Sequence, residues 1–369
     1  SKPCTPAVRT EASCRGKQRQ PPLPFFPAKR KERFNPMSDT VKEFMQKTPT
    51  TYPCGRESLP EKLLKTLDVS RSDAAAAEAD RNLLKSVLET MNAVPSGRRA
   101  LEVLDKEGYS LAFDVMCGGV AACLPESRAV LLNPSLADDL PAALVHEARH
   151  AEQYARFPAE ETRQLYVADL FKSQRAFEAD ACAHQCSFVH ELKEARPEAL
   201  ANAKKILPMQ ENYDRTLEAS GDKGKALNAA FESWYDYDAF QQIYDMHHSS
   251  MIYYTVMEGA SKQDSSFFSR ERPSGDIEKF CSHEGKSYAP ASFLDSPKAF
   301  SLPEYGKMEI DEYLNIYAAS TGTKKDMSLN WMYTQVRNED ASIRYEAPML
   351  RRPEPAPPHR AFIRNTVER

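Results

Sequence analysis

Residues 144–153 read Leu144-Val145-His146-Glu147-Ala148-Arg149-His150-Ala151-Glu152-Gln153. Leu144, Val145, Ala148, Ala151 and Tyr154 recur at helical spacing, which predicts a helix packed along one side. Residues four apart on a helix lie one above the other, so His146 and His150 present two imidazoles to one point. Such a pair suits a tetrahedral Zn²⁺ ion, the cofactor expected here. Glu147 stands beside the first ring. It is the candidate general base, taking a proton from water and passing it to a leaving group.

Upstream, the period changes. Ala74 to Val94 reads as a long helix, stopped by Pro95-Ser96-Gly97, and a second helix covers about 98–106 and ends at Gly108. Tyr109 to Val115 then alternates as a strand does, followed by short strands at Val120–Cys123 and Arg128–Leu132. Asp138 or Asp139 is expected to cap the histidine-bearing helix, with Pro141 in its first turn. Ser58-Leu59-Pro60-Glu61 has the form of a capping box. From about 140 to 330 the chain reads helical, with breaks near Pro197, Pro208, Gly221 and Pro273. The fold class expected is α+β: a small core with a short mixed or antiparallel sheet and the histidine helix, then a mainly helical C-terminal half.

Catalytic zinc takes three protein ligands plus water. The next long helix supplies candidates in Phe177-Glu178-Ala179-Asp180-Ala181-Cys182-Ala183-His184. Its acids are hemmed in by Ala, Phe, Leu170 and Val189, and a buried carboxylate needs a cation. Glu178 is the first choice. Asp180 is then the acceptor from a ligand imidazole N–H, or the alternative ligand, and His184 follows third. Cys182, Cys186 and His190 lie on the same continuous helix and read as buried core side chains rather than a metal cluster. Cys117 and Cys123 flank a Gly-Gly turn, and a reducing compartment argues against a bridge between them.

This order of elements resembles the zincin metallopeptidases of the gluzincin kind. The stretch is most similar to uncharacterised bacterial domains described only as metallopeptidase-like, with Gly97-Arg98 before the first strand and Gln153 three residues after His150. In wider gluzincins the ligand Glu commonly precedes the Asp by four residues. Ala176 holds that place here, which leaves the third ligand open between Glu178 and Asp180. The resemblance implies hydrolysis of peptide bonds in a peptide or protein substrate. It also implies β-addition of that substrate along Leu111–Val115 or Val120–Cys123. An oxyanion stabiliser is implied too, with candidates in Trp234-Tyr235-Asp236-Tyr237 and Tyr244-Asp245-Met246-His247-His248.

The chain has 369 residues, with 49 Lys and Arg against 53 Asp and Glu and a formal net charge of −4. No global field draws it to nucleic acid, and no apolar run approaches the ~20 residues that span a bilayer. There is no G-x-x-x-x-G-K, G-x-G-x-x-G or G-x-S-x-G, so nucleotide binding and serine hydrolysis are unsupported. Five segments are expected. Residues 1–36 are a basic, Pro-rich arm with nine Lys or Arg against two Glu, read either as sequence upstream of a start at Met37 or as a docking arm. Residues 37–96 are helical, 97–200 form the catalytic core, 201–335 a helical subdomain and 336–369 a disordered Pro-rich tail. With no export signal in view the cytoplasm is expected, secretion as an effector being left open. The competing function is a non-catalytic, effector-like binding protein acting through the helical half.

Overall fold

Ser58 opens the first described helix with both halves of the capping box in place. Glu61 N donates to Ser58 Oγ at 3.4 Å and Ser58 N donates to Glu61 Oε2 at 2.9 Å. The computed structural model describes residues 58–68, 74–115, 119–201, 207–338, 340 and 342–352. The arm 1–36, Met37, Cys117, Gly118 and the tail from 353 lie outside them.

The protein is α+β and mainly helical. Helix α1 (Leu59–Leu64) leads through β1 (Leu67–Asp68) to α2 (Ala74–Asn92) and α3 (Pro95–Glu107). Gly108 ends α3 with φ +70°, the left-handed conformation that glycine adopts without a Cβ penalty. Strands β2 (Ser110–Phe113), β3 (Ala121–Leu124) and β4 (Ala129–Leu132) follow. The sheet order is β1-β2-β4-β3, with β1, β2 and β4 parallel and β3 antiparallel to β4. β2 is interior, covered by β1 at Leu111 and Ala112, so among the described residues β3 is the strand with a whole edge unpaired in this sheet.

Asp139 precedes α4 (Leu140–Arg156), but its side chain makes no cap hydrogen bond. The turn before it, 134–139, is a 3₁₀ helix opened by Asn133, whose Oδ1 accepts from Ser135 N at 3.1 Å. That extra turn moves the capping function upstream of the expected aspartates.

Helices α5 (Ala159–Gln164) and α6 (Val167–Ala195) come next, then α7 (Gln210–Ser220), α8 (Lys223–Trp234), α9 (Asp238–Lys262) and α10 (Ser274–Phe280). The hairpin β5 (Ser282–His283) and β6 (Lys286–Ser287), α11 (Ala291–Leu294), β7 (Ser301–Pro303) and α12 (Glu304–Thr321) complete the helical half with β8 (Tyr333–Arg337) and β9 (Ile343–Glu346). β7, β8 and β9 form a second sheet. The segment from 336, read from sequence as a tail, is therefore in part a strand: Ile343–Glu346 pairs antiparallel with Tyr333–Arg337. Arg352 then forks onto Asp169 at 2.8 Å through both Nη atoms. A four-residue strand with Arg and Glu on it carries little periodic signal, and its partner rather than its composition orders it.

Helix α6 has 29 residues, about 44 Å of rise, and touches every part of the core. Phe188, Val189 and Leu192 join the cluster of α2, α3, α4 and the first sheet. Ala176, Ala179, Cys182 and Cys186 pack with Tyr213, Phe231, Trp234 and Tyr288. Val167, Leu170 and Phe171 pack with Ile252, Val256, Ile310 and Leu314. Among the described residues, no helix is long and apolar enough to cross a membrane.

Gly97 lets α3 start hard against the end of α2, because a Cβ there would overlap the Met91 carbonyl oxygen. Gly97→Ala is expected to lower unfolding free energy by about 1–3 kcal/mol through overpacking. Denaturant titration of the variant beside the parent chain measures it, and an unchanged midpoint contradicts the close approach.

Candidate metal centre

Helix α4 packs lengthwise on α6 and against β3. Apolar Leu144, Val145, Ala148 and Ala151 fix one side of α4 in the first core cluster. That rotation sends His146 and His150 toward α6, where both are buried. Their Nε2 atoms lie 3.0 Å apart, and the rings meet edge-on with centroids 4.7 Å apart. Glu178 arrives from α6 with Oε2 3.4 Å from His146 Nε2 and Oε1 3.5 Å from His150 Nε2. The three side chains each offer one donor atom within 4.8 Å of the others, as groups that could hold a metal ion do. Glu147, one position after His146, is likewise buried.

The donor set has a chemical logic. Gln153 Oε1 can only accept, so at 2.7 Å His150 Nδ1 must donate to it. In a neutral ring this leaves the His150 Nε2 lone pair facing His146 Nε2. Glu178 Oε2 is buried with no hydrogen-bond partner among the described residues. Lone pairs of two rings and a carboxylate thus converge on one point, an arrangement that needs a cation or a proton. Burial opposes charge on His150, yet Glu178 outweighs it and pushes that imidazole up to about 9. Burial would likewise raise Glu178, but His150 and His146 hold it well below the usual carboxylate range. The residues fit a divalent cation.

Asp180 stands elsewhere. It accepts from Arg149 Nε at 2.7 Å, Gln153 Nε2 at 2.7 Å and the Tyr288 hydroxyl at 2.5 Å, and its side chain is fully buried. It reaches the imidazole through Gln153 rather than directly as expected, because the amide lies between. Gln153 uses both ends, accepting from His150 and donating to Asp180 and to Phe177 O at 2.9 Å. His184, the third candidate, bonds to the Tyr288 hydroxyl at 3.0 Å and not to the donor trio. Burial and Arg149 push it down to about 3. Cys182 Sγ lies 3.9 Å from His146 Nδ1, a buried thiol beside the site.

The two aromatic windows separate. Trp234 and Tyr235 are core, and Asp236 pairs with Lys298 at 2.6 Å. Tyr244 on α9 borders the site: burial and the Glu178 carboxylate push its phenol well above the usual value. His248 stacks on Tyr244 with centroids 6.3 Å apart, and burial pushes it down to about 4. Arg149 and Tyr288 carry no sequence signal for their roles, since Tyr288 lies 108 positions from Asp180. Gln153 does carry one, at helical spacing from His150. A cavity of 980 Å³ between α9, α12 and β8 is lined by none of the donors.

A helical α+β protein with a His-His-carboxylate trio between two packed helices is the class these observations define. Residues 65–265 match the model of the Putative metallopeptidase family (DUF6782), more than half of the chain, and the protein belongs to that family. No curated protein and no solved structure matches.

Asp180→Ala is expected to cost about 3–5 kcal/mol of stability, since it removes the fully buried partner of Arg149 and leaves that charge only the more exposed Glu152. Glu178→Ala should cost far less in metal-free protein. Chemical denaturation of both separates a structural carboxylate from one whose partners are two imidazoles, and equal costs would contradict the assignment.

Proposed function

We propose that the protein is a zinc-dependent metallopeptidase of the zincin type, with His146, His150 and Glu178 as the zinc ligands and Glu147 as general base and acid. The observation that carries this reading is the buried Glu178 oxygen without a hydrogen-bond partner, facing two imidazole Nε2 atoms 3.0 Å apart. Family membership supports the reaction class. A bound zinc ion would supply Lewis-acid polarisation of the scissile carbonyl and lower the pKa of water there to ~7.

The chain's own groups do the rest. Glu147 takes a proton on a carboxylate oxygen and returns it to the leaving amine nitrogen. Gln153, pinned by Asp180 and Phe177 O, fixes the His150 tautomer so that Nε2 keeps its lone pair for the ion. Tyr244, kept protonated by burial and by Glu178, donates a hydrogen bond to the carbonyl oxygen as charge develops on it. The outer edge of β3, against which α4 packs, aligns an extended peptide or protein segment by main-chain hydrogen bonds.

Purified protein is expected to hold near-stoichiometric zinc. Glu147→Gln should retain that zinc and lose peptide hydrolysis by ~10²–10⁴-fold. Glu178→Ala should weaken zinc binding by at least ~10-fold. Metal analysis and a peptide-cleavage assay on the three proteins test this. Full biological activity in Glu147→Gln would instead favour a non-catalytic binding protein, and unchanged zinc affinity in Glu178→Ala would remove it from the ligand set.

A further inference from the structure

Helix α4 presents a second polar stripe. Val145, Ala148, Arg149, Glu152 and Arg156 line a cavity of 600 Å³ on the side next to the histidine face. Its other walls come from the start of α3, from α6 at His184, and from α8, α10 and β5. None of His146, Glu147, His150 or Glu178 lines it.

The cavity is cationic. Arg99, Arg149, Arg156, Lys223 and Lys279 line it, against the carboxylates of Glu152 and Asp276. Glu152 is shared, with Arg99 at 3.2 Å and with Arg149. The Lys279–Asp276 pair is 3.8 Å long and its lysine is 83% exposed, so it holds neither group firmly. Lys223 turns to Glu191 at 2.9 Å. Arg156 has no carboxylate partner among the described residues, and its guanidinium lies 5.6 Å from the Phe157 ring centre. The start of α3 is already taken, because Ser96 N and Oγ both donate to Glu191. His184 adds no charge, being held neutral by burial and by Arg149.

Asp180 and Glu152 match Arg149 and Glu191 matches Lys223, so the cations left to the concave rim are the exposed Arg99, Arg156 and Lys279, and low-dielectric walls focus their field. Guanidinium forks match phosphate oxygens bidentately. The volume lies in the range of small-molecule sites. The three exposed cations come from three elements, α3, α4 and α10. We propose that this cavity binds a small soluble molecule carrying two or more phosphate groups, gripped by the exposed Arg99, Arg156 and Lys279. The proposal is independent of metal and of peptide hydrolysis.

Calorimetric titration of the full, metal-free chain with inorganic tripolyphosphate tests it. One saturable site is expected, weakening as salt rises. Arg156→Gln and Lys279→Gln should each weaken it about tenfold, the loss of one charge-assisted contact. Both side chains are exposed, so folding is not at issue, and far-ultraviolet circular dichroism checks it. Glu178→Ala should bind as the parent does. No saturable binding overturns the proposal. So does parental affinity in both cavity variants, which would assign the anion to the basic residues of 1–36. Loss of binding in Glu178→Ala also overturns it, placing the anion at the histidines.

Discussion

The structure depends on how α6 carries charge through the centre of the molecule. Asp169, Lys172, Arg175 and Asp180 have essentially no exposed side-chain area. Each is matched from another element: Asp169 by Arg352, Lys172 by Asp295, Arg175 by Asp245, and Asp180 by Arg149. Burying a charge is tolerable only when paired and hydrogen-bonded, so these contacts set the positions of α4, α9, the 295 loop and the C-terminal segment around one axis. Glu178, on the same helix, meets the imidazoles of His146 and His150 and the phenol of Tyr244 instead of an Arg or Lys. No fixed positive charge from another element meets it among the described residues, which is why the proposed ligand role falls to this carboxylate of the helix.

Much of the site was legible because its logic is local. His146, Glu147, His150 and Gln153 sit at helical intervals, and apolar neighbours fix which way that helix turns. The apolar surroundings of Glu178 and Asp180 in sequence mark both as buried acids without separating them, and it is the packing of α6 on α4 that sets Glu178 beside the imidazoles. The role of Asp180 was not legible, because a carboxylate two residues from Glu178 is rotated by some 200° on a helix, toward Arg149 and Tyr288. Long-range partners of that kind leave no periodic trace. The capping of α4 failed for a similar reason: an added 3₁₀ turn cannot be read from the aspartates it displaces.

Strands were harder to read than helices in the second half. β7, β8 and β9 have three to five residues, with polar side chains and mixed exposure. Their order comes from pairing across about thirty positions, from Ser301 to Tyr333 and onward. The Arg352–Asp169 fork then ties this sheet's trailing segment to the first turn of α6.

The closed circuit of Arg149, Gln153, Asp180 and Tyr288 has a consequence for how such a sequence can drift. Each member satisfies a buried partner, so any solitary replacement strands a neighbour, whereas matched exchanges at two of these positions leave none stranded. Related chains should therefore vary here in concert, as correlated columns.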